Sequence, residues 1–211
     1  MEQIILIGAG GHAKTVIDTL ERQNQYEIVG LVDREYNKKF CYRGYGIIGL
    51  DKDLEKIHES GVRNAVITIG DIAIRSRLYK MAINAGFQMP VIVDNTAVLA
   101  TDVQIGDGTY VGRNVVVNAD VTIGENCIIN TSSVVEHDCK IGNSAHIAVG
   151  ATLCGGVAVG SECLVGANAT IIPNIQIGAN SVIGAGAIVT KSVDSGVVMI
   201  NKVTKFLWKK I

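Results

Sequence analysis

The chain has 211 residues, with 19 Lys and Arg against 20 Asp and Glu and a net charge of −1 at neutral pH. That balance excludes the basic footprint of a nucleic-acid binder, and no apolar run approaches the ~20 residues that span a bilayer. The short run Ile4–Ile7 breaks into glycines and does not read as a signal peptide, so a cytoplasmic protein working on small molecules is expected. Five cysteines, at positions 41, 127, 139, 154 and 163, include no CxxC pair. Neither a disulfide framework nor a metal site is expected, and the cysteines read as small buried side chains.

Residues 1–90 alternate strand and helix patterns. IILIGAGGHAKTVIDTLERQ is an apolar strand, a glycine loop and an amphipathic helix carrying Val16, Ile17 and Leu20. YEIVGLVD is a second strand, NAVITIGD a third, and IAIRSRLYKMAINAG a second helix, which together imply a small parallel sheet. Gly8, Gly10 and Ala13 fit the G-x-G-x-x-A dinucleotide fingerprint, with Asp33 at the end of the second strand. The physical content of that match is a tight turn and a helix N-terminus that favours an anion. With only one mononucleotide half present, a nicotinamide dehydrogenase is not expected. The residues between Tyr36 and Gly49 read as a loop.

From Val91 to Ser192 the chain divides into hexads without a slip, beginning VIVDNT AVLATD VQIGDG TYVGRN. The third position is aliphatic throughout, and the first is Ala, Ser, Thr, Cys or Val everywhere except Ile175. One large and one small inward residue per six is what a triangular prism of short parallel strands requires, with glycine often following the large residue where the chain turns a corner. Three hexads make one coil, so residues eighteen apart stack at about 4.8 Å. The expected architecture is an α/β half-Rossmann domain over 1–90, a parallel β-helix over 91–192 and a tail over 193–211.

Within the prism, SVVEHDCKIGNSAH carries two of the four histidines. His137 is fifth in its hexad, off the inward positions, and an imidazole there is suited to take a proton near neutral pH. A carboxylate on its other ring nitrogen would fix the tautomer, and Glu136 and Asp138 both flank it. Gly155 lies one coil beyond His137, where a backbone N–H can approach a developing oxyanion closely; Gly155 and Gly156 read equally as residues that only turn a corner. His146, second in its hexad, also points outward.

GAGGHA, TIGDIAIRSRLY and INTSSVVEHDCKIGNSAHIAVGATLCGGVAVG on a hexapeptide prism resemble the bacterial acetyltransferases that modify sialic acid or a nucleotide-linked amino sugar, over residues 3 to about 198. The resemblance implies a left-handed prism, acetyl-coenzyme A as cofactor, and a homotrimer with active sites between subunits. It implies His137 as base and favours Asp138 over Glu136 as its partner, although Asp138, one methylene shorter than the Glu of some relatives, is expected to make a longer contact. It implies cofactor contacts from His146 near the acyl group and from the backbone of Ala167 and Ala185, themselves eighteen apart. Substrate contacts implied are Gly10, Gly11 and His12 at the phosphate or sugar loop, Asp33 and Arg34 at the base and ribose, Gly70 with Arg75 in the third strand's loop, and Asn130 beside the catalytic histidine. Arg75 reads equally as a solvated helix residue. Similar proteins close with V-G-x-P-A-K; here VVMINKVTKFLWKK stands instead, so C-terminal coenzyme A contacts do not carry over.

The expected activity is N-acetylation of a nucleotide-linked 4-amino-4,6-dideoxy sugar in cell-surface polysaccharide or glycan biosynthesis, with O-acetylation of sialic acid as the close alternative. A non-catalytic nucleotide-sugar binding trimer is the alternative from another class.

Overall fold

Ile4–Ile7 is fully buried because it belongs to an interior strand of a sheet covered on both faces. In the computed structural model, which describes residues 1–35 and 41–200, strand β1 (Glu2–Ile7) runs parallel to β2 (Tyr26–Asp33). Ile4 and Leu6 pack toward helix α1 (Gly11–Gln23) with Val16, Ile17 and Leu20. Ile5 and Ile7 pack on the other side, with Leu78 and Ala82.

The presumed loop after Asp33 holds more structure than expected. It contains β3 (Cys41–Tyr42) and β4 (Tyr45–Leu50), followed by the short helix α2 (Leu54–Glu59). Strand β4 pairs parallel with β2 beside Gly30, where an added Cβ would lie 2.5 Å from Ile48. With β5 (Asn64–Ile67) and α3 (Ile72–Asn84), the sheet order is β3-β4-β2-β1-β5. The order reverses between β1 and β5, and their C-terminal ends therefore open a crevice.

From Ile92–Val93 to Ile188–Val189, two-residue strands pair with the strand eighteen residues on, as Val116 does with Val134 and Val134 with Thr152. They form three parallel sheets, the faces of a prism. First- and third-position residues such as Cys127, Ile129, Ala145, Ile147, Ala151 and Leu153 fill its interior. Each large inner side chain contributes roughly 1.5–3 kcal/mol by leaving water.

The corner glycines do a different job from the one expected. Positive φ falls at the sixth position, on Asn114, Asp120, Asn126, Ser132 and Asp138 among others. The fourth-position glycines instead let coils touch: a Cβ on Gly142 would lie 2.5 Å from the Ser161 nitrogen, and one on Gly166 2.6 Å from that of Ala185. Cys127, Cys139 and Cys163 are buried as expected, whereas Cys154 is half-buried and Cys41 exposed.

The α/β domain rests on the prism's first face, whose outward Ile92, Tyr110 and Ile128 are buried against the α1 side of the sheet. Thr19 donates to Asp94 at 2.7 Å and meets the Tyr110 hydroxyl at 3.2 Å, while Arg113 pairs with Asp18. The stretch 201–211, which holds most of the divergent closing segment, lies outside the described residues.

Candidate functional site

His137 and Asp138 occupy the corner between the second face, which includes Val134–Val135, and the third, which includes Lys140–Ile141. Asp138 adopts the left-handed conformation there (φ 62°), which swings its carboxylate back so that Oδ2 lies 2.7 Å from His137 Nδ1. The shorter acid reaches the ring at an ordinary hydrogen-bond distance. Glu136 is engaged elsewhere, accepting from Asn118 at 2.9 Å. The hydrogen bond to Asp138 raises the His137 pKa, with the charges of Asp138 and Glu136 adding to it against some desolvation. The ring lies against Gly155, where a Cβ would fall 2.6 Å from Cε1 and 2.7 Å from Nε2. Neither His137 Nε2 nor the Gly155 N–H makes a hydrogen bond among the described residues. A proton acceptor and a neighbouring donor are therefore both open at an exposed corner.

The crevice at the ends of β1 and β5 encloses about 340 Å³ between Gly8–His12 and Thr68–Gly70, with Asp33, Arg34, Asp51 and Arg77 toward one end. Gly10 caps α1 without a side-chain bond, leaving the helix amides for an anion. Asp33 shapes this loop: its oxygens accept the Ala9 and Arg34 N–H groups, each at 2.7 Å. The Arg34 side chain is exposed beside Glu35. Asp51 and Arg77, 3.7 Å apart, escaped the sequence reading because they lie outside the fingerprint.

The crevice meets the prism at a cluster of nitrogen-bearing side chains. His12 sits edge-on to Tyr110 at 5.2 Å, its Nε2 buried without a partner. Burial, then the charges of His146 and Arg75, lower its pKa to about 4. His146 is half-buried on the first face next to Gly70, 3.2 Å from the Asn130 amide nitrogen. Burial and Arg75 lower its pKa to about 4 as well, against a hydrogen bond with the Gly70 backbone. Both rings are neutral at physiological pH. Arg75, far from solvated, is only 1% exposed. Its signal was its place on the buried stripe of α3 with Leu78 and Ala82.

Ala167 and Ala185 follow strands Leu164–Val165 and Val182–Ile183, at the corner between the first and second faces. Asn130 follows Ile128–Ile129 at the same corner. Val149, Ala167 and Ala185 stack there with no side chain larger than Val, a strip open to a slender chain laid along the axis. Within one chain this corner gathers Asn130, His146, Ala167, Ala185 and the crevice, whereas His137, Asp138 and Gly155 stand across the second face. Asn130 therefore neighbours His146 in the same chain and not His137.

The PglD N-terminal domain family matches residues 3–82, and the bacterial transferase hexapeptide family (six repeats) matches 120–155 and 156–191. A point variant of perosamine N-acetyltransferase from Caulobacter crescentus, in complex with CoA and GDP-perosamine, is 33% identical. The match covers 95% of this chain and 94% of that one, with a TM-score of 0.91. The acetyltransferase domain of PglB from Neisseria gonorrhoeae is 27% identical over 94% of this chain and 96% of that one (TM-score 0.87), and is also known with acetyl coenzyme A. WeeI from Acinetobacter baumannii is 25% identical over 95% and 97% (TM-score 0.85). An uncharacterised protein of Acanthamoeba polyphaga mimivirus is 37% identical over 109 residues, 52% of this chain; the match spans 21% of that longer protein.

Proposed function

The chain belongs to the hexapeptide-repeat sugar acetyltransferases, which join an α/β domain to a left-handed β-helix, and from that premise we propose that it transfers an acetyl group from acetyl-coenzyme A to the 4-amino group of a nucleotide-linked 4-amino-4,6-dideoxy sugar. The observation that carries this reading is the His137–Asp138 pair, with Nδ1 held at 2.7 Å and Nε2 open above Gly155. Acetyl-coenzyme A supplies an acyl group activated as a thioester. His137 Nε2 takes the proton of the sugar amine as its nitrogen bonds to the acyl carbon, and returns it to the sulfur as the C–S bond breaks. Asp138 stabilises the imidazolium in between, and the Gly155 N–H is placed to donate to the acyl oxygen.

The small-residue strip of Val149, Ala167 and Ala185 fits the pantetheine arm, and His146 the acyl end. Gly10, Gly11 and His12 would hold the diphosphate or sugar, with Asp33 and Arg34 toward the base and ribose, Gly70 on the opposite wall and Asn130 orienting the sugar.

The two half-sites stand on opposite edges of the second face. That face presents Val98, Val116, Val134, Thr152, Thr170 and Ile188 outward, with Val98 64% and Ile188 62% exposed. Turned inward around a threefold axis, this apolar face brings the His137 corner of one copy against the cofactor corner of the next. A homotrimer with three shared sites is therefore part of the proposal. So is a cytoplasmic location; among the described residues no helix is long and apolar enough to cross a membrane.

A thioester-cleavage assay over UDP-, dTDP- and GDP-linked amino sugars and sialic acid tests the reading. Coenzyme A release is expected with an amino sugar and not with sialic acid; release with sialic acid alone would replace N- by O-acetylation. His137→Ala is expected to lose ~10²–10⁴ in rate, the scale of a general base, with acetyl-coenzyme A affinity unchanged. A loss below tenfold would remove His137 from that role.

A further inference from the structure

Arg75 is the largest fully buried side chain among the described residues, and none of the ion pairs among those residues involves it. Its guanidinium donates only to backbone carbonyls, in two sets. One set belongs to the crevice wall: Nη1 reaches Gly70 at 3.0 Å and Ile69 at 3.3 Å. The other belongs to the prism: Nη2 reaches Ser144 at 2.6 Å and Ala145 at 3.4 Å, and Nε reaches Asn126 at 3.0 Å. Ser144 and Ala145 lead directly into the strand His146–Ile147.

A buried cation without a close carboxylate is a poor stabiliser, since desolvation costs several kcal/mol per ion and an apolar side chain of similar volume does as well or better. A planar fork of five donors, by contrast, fixes the mutual position of the carbonyls it bridges. The helix start is itself held: Asp71 accepts from the Ile74 N–H at 2.9 Å, and the Arg75 N–H donates to the Asp71 carbonyl at 2.9 Å. Arg75 is thus anchored at its backbone end while its head grips both units.

We propose that Arg75 is a positioning residue, which ties the Gly70 wall of the nucleotide crevice to the coil carrying His146 and so sets where a sugar held in the crevice meets the acyl group. This rests on the acetyltransferase reading but makes a separate demand. Neither the crevice nor the cofactor strip needs Arg75 to bind its own ligand; transfer between the two ligands does. A displacement of about 1 Å at a reacting centre costs on the order of 10²-fold in rate.

The test uses the full-length protein with Arg75→Lys, which keeps the charge and loses the fork, and Arg75→Met, which keeps the volume. With the amino sugar that the wild-type enzyme uses, kcat is expected to fall about 10²-fold in both variants, while KM for acetyl-coenzyme A and for the sugar stays within about threefold. Backbone amides at 69–72 and 144–147 are expected to exchange hydrogen at least about tenfold faster in both variants, a local-opening readout that stands whether or not an acceptor has been identified. An unchanged kcat, unchanged exchange in those two segments, or failure of both variants to fold would each overturn the proposal, the last by reducing Arg75 to a stabiliser. Absence of transfer by the wild-type protein would instead count against the acetyltransferase reading, leaving the exchange measurement to decide on Arg75.

Discussion

At the level of single residues, the division of labour at the His137 corner depends on backbone conformation as much as on side-chain chemistry. Asp138 is the residue at positive φ, and that twist aims its carboxylate at Nδ1 while Glu136 turns to Asn118. Side-chain order alone left both acids open, because a hexad pattern assigns inward and outward positions but not which outward carboxylate reaches a ring. Asn tolerates the left-handed region well, so Asp138→Asn isolates the loss of charge. The Asp138 hydrogen bond favours imidazolium and raises the His137 pKa, and in the proposed role as base His137 works only when deprotonated. The acid limb of the wild-type kcat/KM profile should therefore lie above the ordinary imidazole value. In Asp138→Asn it should move to lower pH, with a reduced plateau because the tautomer is no longer held. A pH–rate profile of both proteins checks this, and a limb that stays in place would show that Asp138 does not set the His137 pKa.

At the level of elements, the repeating parts were readable and the singular parts were not. Each coil repeats the same pair of inward positions, so Ile129, Val135 and Ile141 could be placed inside from spacing alone. Strands β1, β2 and β5 and helices α1 and α3 carried apolar runs bounded by glycine or polar turns. Strand β4 did not, since Gly46 and Gly49 interrupt YGIIGL and its partner β2 is fixed only in three dimensions. Arg75 was ambiguous for the same reason: its acceptors at 69–70, 126 and 144–145 converge only when the domain lies on the prism. The fourth-position glycines were seen, but for the wrong job; they make room for the neighbouring coil. Gly142→Ala would drive a Cβ to 2.5 Å from the Ser161 nitrogen, a backbone atom that cannot rotate away. Overpacking of this kind costs about 1–3 kcal/mol. Chemical denaturation should show that loss at an unchanged m-value, and a stability equal to wild type would mean that the coils separate without cost.

At the level of the whole molecule, the proposed homotrimer makes assembly a condition of activity, because it joins two half-sites that stand on opposite edges of one apolar face. The His137 corner and the corner with Ala167 and Ala185 are separated within a chain by the width of the second face, so under this proposal each site draws on two chains. Two individually inactive proteins should then restore each other. His137→Ala removes the base, and Ala167→Arg places a long side chain across the cofactor strip. Each alone is expected to be inactive. If equal amounts are unfolded, mixed and refolded into trimers with cyclic symmetry, a site regains function when an intact His137 from one copy faces an intact strip from the next. Random assembly gives that pairing at about one site in four (½ × ½), so about a quarter of wild-type activity should return. Sites contained within single chains would return none. The same mixture made without unfolding, so that trimers do not exchange copies, is the control and should stay inactive.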